Sequence, residues 1–487
     1  MPDRLAELRA KSLATEHGFP MVRLRDVAFD PDAVRAIPFE ALQRHTALPL
    51  AMIGDLLRVA FASPSPEAVS ELSRLALCEI EPVLAPRNEI AAMLAEIDRG
   101  GALQHEELLL EGAHGVDAPA VRAVNDILKQ AIAARASDIH LVPSEDTFSL
   151  RFRIDGVVEQ HGSMSVADAG ALVLRVKVLA KLDIAERRRP QDGRFAVGTT
   201  NGRTVDVRVT LLPTLHGEGI VLRLLEKTKK APSLTELGFE PRMQMEIQRV
   251  VDRGVGALLV TGPTGSGKST TLHAALVDLA RPDRAVITIE DPVEYEVPGA
   301  YQLQIHSTAG ITYASALRSV LRGDPDVIMV GEIRDSETAT LALGASLAGH
   351  MVLSTLHTND APGALTRLAE MGVDSYVVAA GVSGVLAQRL ARRLCLYCRE
   401  PFEHEGRTRF RAVGCQWCNG GHFGRVGVFQ LLTMDTRLRA LVADGASNDV
   451  VAAAAAEGGL QSLWADGLAK VEAGLITEEE LHRVVPR

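Results

Sequence analysis

The stretch Gly262-Pro263-Thr264-Gly265-Ser266-Gly267-Lys268-Ser269 matches the pattern GxxxxGK[ST] and constrains this chain more than any other segment. It follows the apolar run Ala257 to Val260 and precedes the helix-like TTLHAALVDLA, the strand, loop and helix order that the pattern requires. Glycines let successive backbone N–H groups turn inward around phosphate oxygens. The new helix adds the positive end of its dipole. Lys268 would reach the β- and γ-phosphates as a point charge, and the Ser269 hydroxyl would ligate Mg²⁺. Residues 262–269 together with Thr270 are the expected ATP-binding set. The competing reading is a chance match in a Gly-rich turn, which the flanking strand and helix argue against.

A phosphate loop alone names no reaction, so the acidic residues decide. Two apolar runs end in carboxylates: VITIEDPVEY supplies Glu290, Asp291 and Glu294, and DVIMVGEIRD supplies Glu332. In an open α/β sheet ligands collect at the carboxyl ends of strands, so both acidic ends should face the nucleotide. Glu332 is assigned to the Mg²⁺ and water shell, and Glu294 to polarising the attacking water. Glu290 and Asp291 have a blander alternative, capping the turn before Pro292. A further apolar run, HMVLSTLH, is flanked by His350 and His357, and both are read as candidate sensors of the γ-phosphate, with core packing as the alternative.

At 487 residues the chain is too long for one core and should hold two to four domains. The runs GALLVTG, AVITIED, DVIMVGE and HMVLSTLH are separated by helix-length stretches, which implies a parallel sheet covered on both faces. Upstream, a helical run from Val121 leads into alternating SDIHLVP and FSLRFRIDGVVEQ, read as an α+β domain with a DG turn. The expected divisions are a small domain at 1–100, a linker at 101–118, the α+β domain at 119–228, a hinge at 229–240, the ATPase core at 241–392, a cysteine knuckle at 393–430 and an Ala-rich helical region at 431–487.

No window approaches the roughly 18 uncharged apolar residues of a membrane span, and the first residues alternate charge where a secretory signal would be apolar. A cytoplasmic location is expected. The net charge of −10 and the 4% aromatic content argue against a nucleic-acid translocase, which would need basic, aromatic-bearing channel loops. Four of the five cysteines form two pairs, Cys395/Cys398 and Cys415/Cys418, at zinc-ribbon spacing. Four thiolates would close a tetrahedral shell and leave no place for water, so the expected zinc is structural. Cys78 reads as a small buried hydrophobe.

In order along the chain, ASDIHLVP, RFRIDG, RRPQDGRF, VDVRVTLLPTLHGE, GPTGSGKSTT, EDPVEY, LRGDPDVIMVGEIRD and GHMVLSTLHTND resemble the motifs of the GspE/PilB class of type II secretion and type IV pilus ATPases. The resemblance covers roughly residues 120 to 430. It implies a RecA-like ATPase domain preceded by an α+β, PAS-like domain and a small N-terminal domain, with an inserted zinc-binding knuckle. It also implies a homo-hexameric ring driving an inner-membrane platform protein, with Arg208 and Arg223 matching positions at which the family neutralises phosphate charge. Without it those two arginines read as strand charges on a solvated face. Gly323 and Gln430 depart from the family's usual Gln and Glu. The first 100 residues resemble the second half of the family's cyclic-dinucleotide module, but its Arg-Leu-Gly repeats are not evident, so docking to the cytoplasmic domain of a membrane-anchored partner is expected instead. A pilus retraction motor is a second alternative; such relatives generally lack the long N-terminal region and paired cysteines. An adaptor without activity is disfavoured because every hydrolytic position is filled.

Overall fold

The computed structural model describes residues 19–24, 33, 36–53, 56–76, 78–102, 108–109, 119–199, 204–226, 231–306, 309–415 and 417–485. The chain divides into two compact units, one comprising 1–226 with 394–424, the other 227–393 with 425–487.

The first unit opens with a small domain in which α1 (Phe39–His45), β1 (Ala47–Ile53), β2 (Leu56–Phe61), α2 (Pro66–Ala76), β3 (Glu79–Leu84) and α3 (Arg87–Ala102) follow one another. Its three strands pair in the order β1-β2-β3, and Leu48, Val59, Phe61, Leu72 and Ile90 close its core. The stretch read as a linker contributes a short strand, β4 (Leu108–Leu109), which pairs with the edge of the next sheet. The remainder of that stretch, 103–107 and 110–118, lies outside the described residues.

The α+β domain runs through α4 (Pro119–Ala133), β5 (Ala136–Pro143), β6 (Thr147–Ile154), β7 (Val157–Ser165), α5 (Val166–Leu179), β8 (Gln191–Thr199), β9 (Thr204–Thr214) and β10 (Gly217–Glu226). The sheet order is β4-β8-β9-β10-β5-β6-β7. Along β6, Phe148, Leu150, Phe152 and Ile154 are buried while Arg151 is exposed, the period-two pattern of an antiparallel sheet packed on one face. The predicted DG turn is there: Asp155 and Gly156 both adopt positive φ, which a tight hairpin between right-twisted strands demands. Helices α4 and α5 lie on the apolar face.

The second unit contains α6 (Pro241–Asp252), β11 (Gly256–Thr261), α7 (Lys268–Leu279), β12 (Val286–Glu290), β13 (Ala300–Gln304), α8 (Tyr313–Val320), β14 (Val327–Val330), α9 (Ser336–Leu347), β15 (Met351–Leu356), α10 (Ala361–Glu370), α11 (Ser375–Gly381) and β16 (Val382–Leu394). After the knuckle, with its hairpin β17 (Glu400–His404) and β18 (Arg407–Arg411), come β19 (His422–Thr433) and α12 (Thr436–Ala443), α13 (Asn448–Glu457), α14 (Leu463–Glu472) and α15 (Glu478–Val484). The sheet order is β13-β12-β14-β15-β11-β16-β19, and each neighbouring pair from β13 through to β16 is parallel. Every residue of β11, β14 and β15 is buried, because a parallel sheet is covered on both faces. Along β11, Ala257 and Leu259 enter one core with α8 to α13, while Leu258 and Val260 enter the other with α6 and α7. Leu259 is wholly buried, so truncating it to Ala costs about 3 kcal/mol.

The segment read as a hinge at 229–240 is packed in its second part. Leu234 and Phe239 belong to the α6/α7 core, the Phe239 ring lies 4.1 Å from that of Phe429, and Ser233 caps the short 3₁₀ turn Leu234–Leu237. Residues 231–240 therefore belong with the second unit, and 227–230, which include the start of the segment read as a hinge, lie outside the described residues.

Candidate functional site

The residues 262–267 leave the carboxyl end of β11 and turn directly into α7 at Lys268. Two glycines are obligatory for packing as well as backbone angle. A side chain at Gly262 (φ 150°) would stand 2.4 Å from the Gln388 carbonyl, and one at Gly267 (φ 87°) would stand 2.7 Å from the Gln388 amide. The Lys268 ammonium donates to the carbonyls of Gly262 (2.9 Å) and Pro263 (3.0 Å), which holds it at the loop. Burial pushes its pKa down to about 8; Glu332 opposes the shift and Arg389 adds to it.

A cavity of about 360 Å³ opens over this loop, within the range of small-ligand sites. Thr264, Gly265, Gly267, Lys268, Ser269 and Thr270 line it, and so do Glu294, Glu332 and His357. Gly262, Pro263 and Ser266 do not line it: the first two contribute carbonyls to Lys268, and Ser266 is buried inside the turn. Glu332 sits two residues beyond β14, with one oxygen 2.6 Å from Arg334 and the other 3.8 Å from His357 Nε2. Burial and the Lys268 charge push the His357 pKa down, against a smaller pull from Glu332, so the ring favours its neutral form. Glu294 is exposed at the cavity wall.

The two histidines around β15 part company. His350 precedes the strand and His357 follows it, and six residues of strand separate them by about 20 Å. His350 Nδ1 meets the Ala345 carbonyl at 2.9 Å, on the edge of the sheet away from the phosphate loop. The symmetry seen in the sequence hid this, because residues at opposite ends of one strand lie on opposite edges of a sheet.

Glu290 is buried and fully engaged. Thr288 Oγ1 donates to it at 2.7 Å and Gln302 Nε2 at 3.0 Å, and His273 Nε2 lies 3.0 Å away. The other ring nitrogen of His273 is 2.8 Å from the Ser269 carbonyl. With Glu290 ionised, both partners of this ring accept only, and an imidazolium with a proton on each nitrogen satisfies both. Burial disfavours the His273 charge, but the bond and charge of Glu290 outweigh it and hold its pKa up. Burial likewise disfavours the Glu290 charge, and His273 outweighs it, holding that pKa down. The capping role offered for Glu290 gives way to this ion pair. Tyr313 and Arg425 also line the cavity and were not singled out in the sequence. Burial and the nearby Glu332 and Asp291 charges raise the Tyr313 hydroxyl pKa. Gly323 contributes only to a turn, and Gln430 accepts a bond from the Ala361 amide at 2.9 Å, capping α10.

In the first unit, Arg208 is in register with Arg223 on one side and Arg194 on the other, and Arg223 is opposite Asp138, which is opposite Arg153. Arg194, Arg208 and Arg223 are all exposed. Like charges directly opposite one another destabilise a sheet. Asp138 relieves one of them, accepting from Arg223 Nε at 2.9 Å with Arg153 at 3.6 Å.

The four cysteine Sγ atoms at 395, 398, 415 and 418 lie within 4.8 Å of one another. Separations of 3.9 Å (Cys395 to Cys415) and 3.6 Å (Cys398 to Cys418, Cys415 to Cys418) compare with the roughly 3.8 Å edge of a tetrahedron with Zn–S near 2.3 Å. Amides of Gly414 and Cys415 point at Cys398 and Cys418 sulfurs at 3.3 and 3.2 Å, as they do around bound thiolates. The donor set fits zinc. The knuckle packs on its own unit: Asn419 donates to Glu159 at 2.7 Å, the Gly424 amide to Asp155 at 2.9 Å, and Arg135 stacks 3.9 Å over Phe423. Leu396 and Tyr397, between the first two cysteines, pack against the core of the small N-terminal domain.

The profile of the type II/IV secretion system protein family matches residues 114–483, and that of the MshEN domain matches 17–103. The chain is 40% identical over 505 aligned positions to the type IV pilus assembly ATPase PilB of Myxococcus xanthus, covering 96% of this chain and 89% of that protein. It is 45% identical over 396 positions to the type II secretion system ATPase E of Vibrio cholerae, covering 78% of each. Among solved structures, the pilus retraction motor PilT with bound ADP aligns with a TM-score of 0.50 at 27% identity, over 74% of this chain and 96% of that one. The ATPase DotB of Legionella pneumophila aligns with a TM-score of 0.57 at 22% identity, over 77% of this chain and 98% of its own, a likeness of fold.

Proposed function

Because the chain belongs to the type II/IV secretion system protein family, we propose that this ATPase hydrolyses ATP at the 262–269 loop, as a homo-hexamer, to drive a type II secretion or type IV pilus assembly machine. The observation that carries the reading is one cavity shared by the phosphate loop, Glu294, Glu332 and His357. Lys268 meets the β- and γ-phosphates, while the Ser269 hydroxyl and the Glu332 carboxylate, hard oxygen donors lining the same cavity, hold Mg²⁺. When bound, Mg²⁺ neutralises charge on the transferred phosphoryl group. Glu290 is already engaged by His273, Thr288 and Gln302, and the water-orienting role is assigned to Glu294, exposed on the cavity wall. His357, on the cavity wall and favouring its neutral form, donates its ring N–H to the γ-phosphate and so senses its presence.

Arg208 and Arg223 neutralise phosphate charge in this scheme; their support is the in-register row of exposed guanidiniums, which costs sheet stability. The four thiolates hold a structural zinc that ties the turn at 395–398 to the turn at 415–418. Residues 1–100 dock the cytoplasmic domain of a membrane-anchored protein, placing the ring in the cytoplasm beneath an inner-membrane platform protein; among the described residues no helix is long and apolar enough to cross a membrane itself.

Glu332→Gln separates binding from turnover. Phosphate release should fall by about 100-fold or more, with ATP affinity changed by less than about fivefold. Full turnover by this variant would reject the assignment.

A further inference from the structure

The phosphate loop is not held by its own strand and helix alone. β16 runs parallel to β11 with Ala387 opposite Thr261, which brings Gln388 beside the first residue of the loop. Gln388 is 3% exposed and both ends of its amide are used. Its Nε2 donates to the Ser266 carbonyl at 2.7 Å, and its Oε1 accepts from Thr271 Oγ1 at 2.7 Å. The carbonyl of Ser266 accepts only, so the amide can face it in one orientation. The two contacts straddle the junction at which the loop becomes helix α7, between Gly267 and Lys268. The next residue, Arg389, reaches the other way and donates to the Asn359 carbonyl at 2.8 Å, in the segment that follows His357. Adjacent residues of one strand thus hold the loops that follow β11 and β15, because successive side chains of a strand point to opposite faces.

We propose that Gln388 is a positioning residue for phosphate binding: its amide presets the 262–267 turn so that the backbone N–H groups already converge before nucleotide arrives. This rests on the nucleotide reading of the loop. Gln is the side chain the geometry selects. Asn is one methylene too short, Glu would set a carboxylate oxygen against the Ser266 carbonyl and place negative charge behind the phosphates, and Met fills the space without either bond. A preset cradle contributes equally to ground and transition states, so its loss raises KM and leaves kcat. It also acts on the β-phosphate, so ADP should suffer as much as ATP.

The test measures binding of a fluorescent ADP analogue and of ATP, together with steady-state hydrolysis, in the full chain. Gln388→Met should weaken both nucleotides about tenfold, a loss of about 1.4 kcal/mol, with kcat within about threefold of wild type. Gln388→Glu should weaken both further, by about 100-fold. Thr271→Val should weaken them a few fold, and Thr271→Val with Gln388→Met should be no worse than Gln388→Met alone, since both remove one shared bond. Folded Gln388 variants that bind ADP within twofold of wild type, or that lose kcat at unchanged KM, would overturn the proposal. So would additive losses in the double variant. If the Gln388 variants fail to fold, Thr271→Val decides: unchanged ADP affinity overturns the proposal and a several-fold loss supports it. A wild-type chain that binds neither nucleotide sinks the nucleotide reading itself, a different result from wild-type binding that the variants share.

Discussion

His273 and Glu290 show how much one buried pair can fix. Each is 2 to 4% exposed in its side chain, and the pair joins the second turn of α7 to the end of β12. His273→Ala would leave Glu290 buried without its cation, at a cost of about 3 to 5 kcal/mol. The pair also sets a pH dependence whose sign follows from linkage. The His273 pKa is raised above its ordinary 6.5, so its stabilisation is complete below that value and is lost as pH rises through the higher folded value. The Glu290 pKa is lowered below 4.5, so its stabilisation is complete above that value and is lost as pH falls through the lower folded value. Glu294 adds a smaller pull on His273 in the same direction as Glu290. Thermal denaturation from pH 4 to 9 should show the wild-type advantage over His273→Ala greatest between about pH 4.5 and 6.5 and declining on both sides. A difference independent of pH would show that the pair is not ionised.

Among the described residues, the hairpin of the cysteine knuckle contributes none to a hydrophobic core. Residues 400–411 form a two-stranded hairpin whose β17 is exposed throughout, joined by a turn at Glu405 and Gly406 with positive φ. A two-stranded hairpin is marginal in water without further support. Its support here is the thiolate cluster and the contacts to Glu159, Asp155 and Arg135. Elemental analysis should find one zinc per chain. A chelator, or Cys398→Ser with Cys418→Ser, should release it and open residues 394–424 to protease at least about tenfold faster, while α7 and β11 stay protected. Equal cleavage rates with and without metal would show that zinc does not order the knuckle.

At the scale of the whole molecule, the chain passes between its two units at 226/227, 393/394 and 424/425, so the knuckle is sequence inserted in the second unit but folded with the first. In the proposed hexameric ring each subunit's charges act within an assembly. Arg208→Ala and Arg223→Ala should each lower kcat by about 100-fold or more, the scale of a lost transition-state arginine, without altering ADP affinity by more than about threefold. Hydrolysis per chain should rise with protein concentration as hexamers form, measurable by light scattering alongside phosphate release. Constant specific activity from monomer to hexamer would reject the ring requirement.

What was legible in the amino-acid order was whatever depends on local spacing. The phosphate loop between an apolar run and a helix, the acidic tips of two buried strands, the DG turn and the paired cysteines are each written within a short stretch of sequence, and the loop, the strand ends, the turn and the cysteine cluster form there. The tertiary structure decided what depends on which strands become neighbours. It put His350 on the far edge of the sheet from His357, locked Glu290 to His273, brought Gln388 against Ser266 across 122 positions, and packed residues 231–240 against the second unit. None of these has a signature in local periodicity, because sheet order and side-chain pairing over long separations come from how buried faces match, and a linear pattern of apolar and polar residues does not record which face meets which.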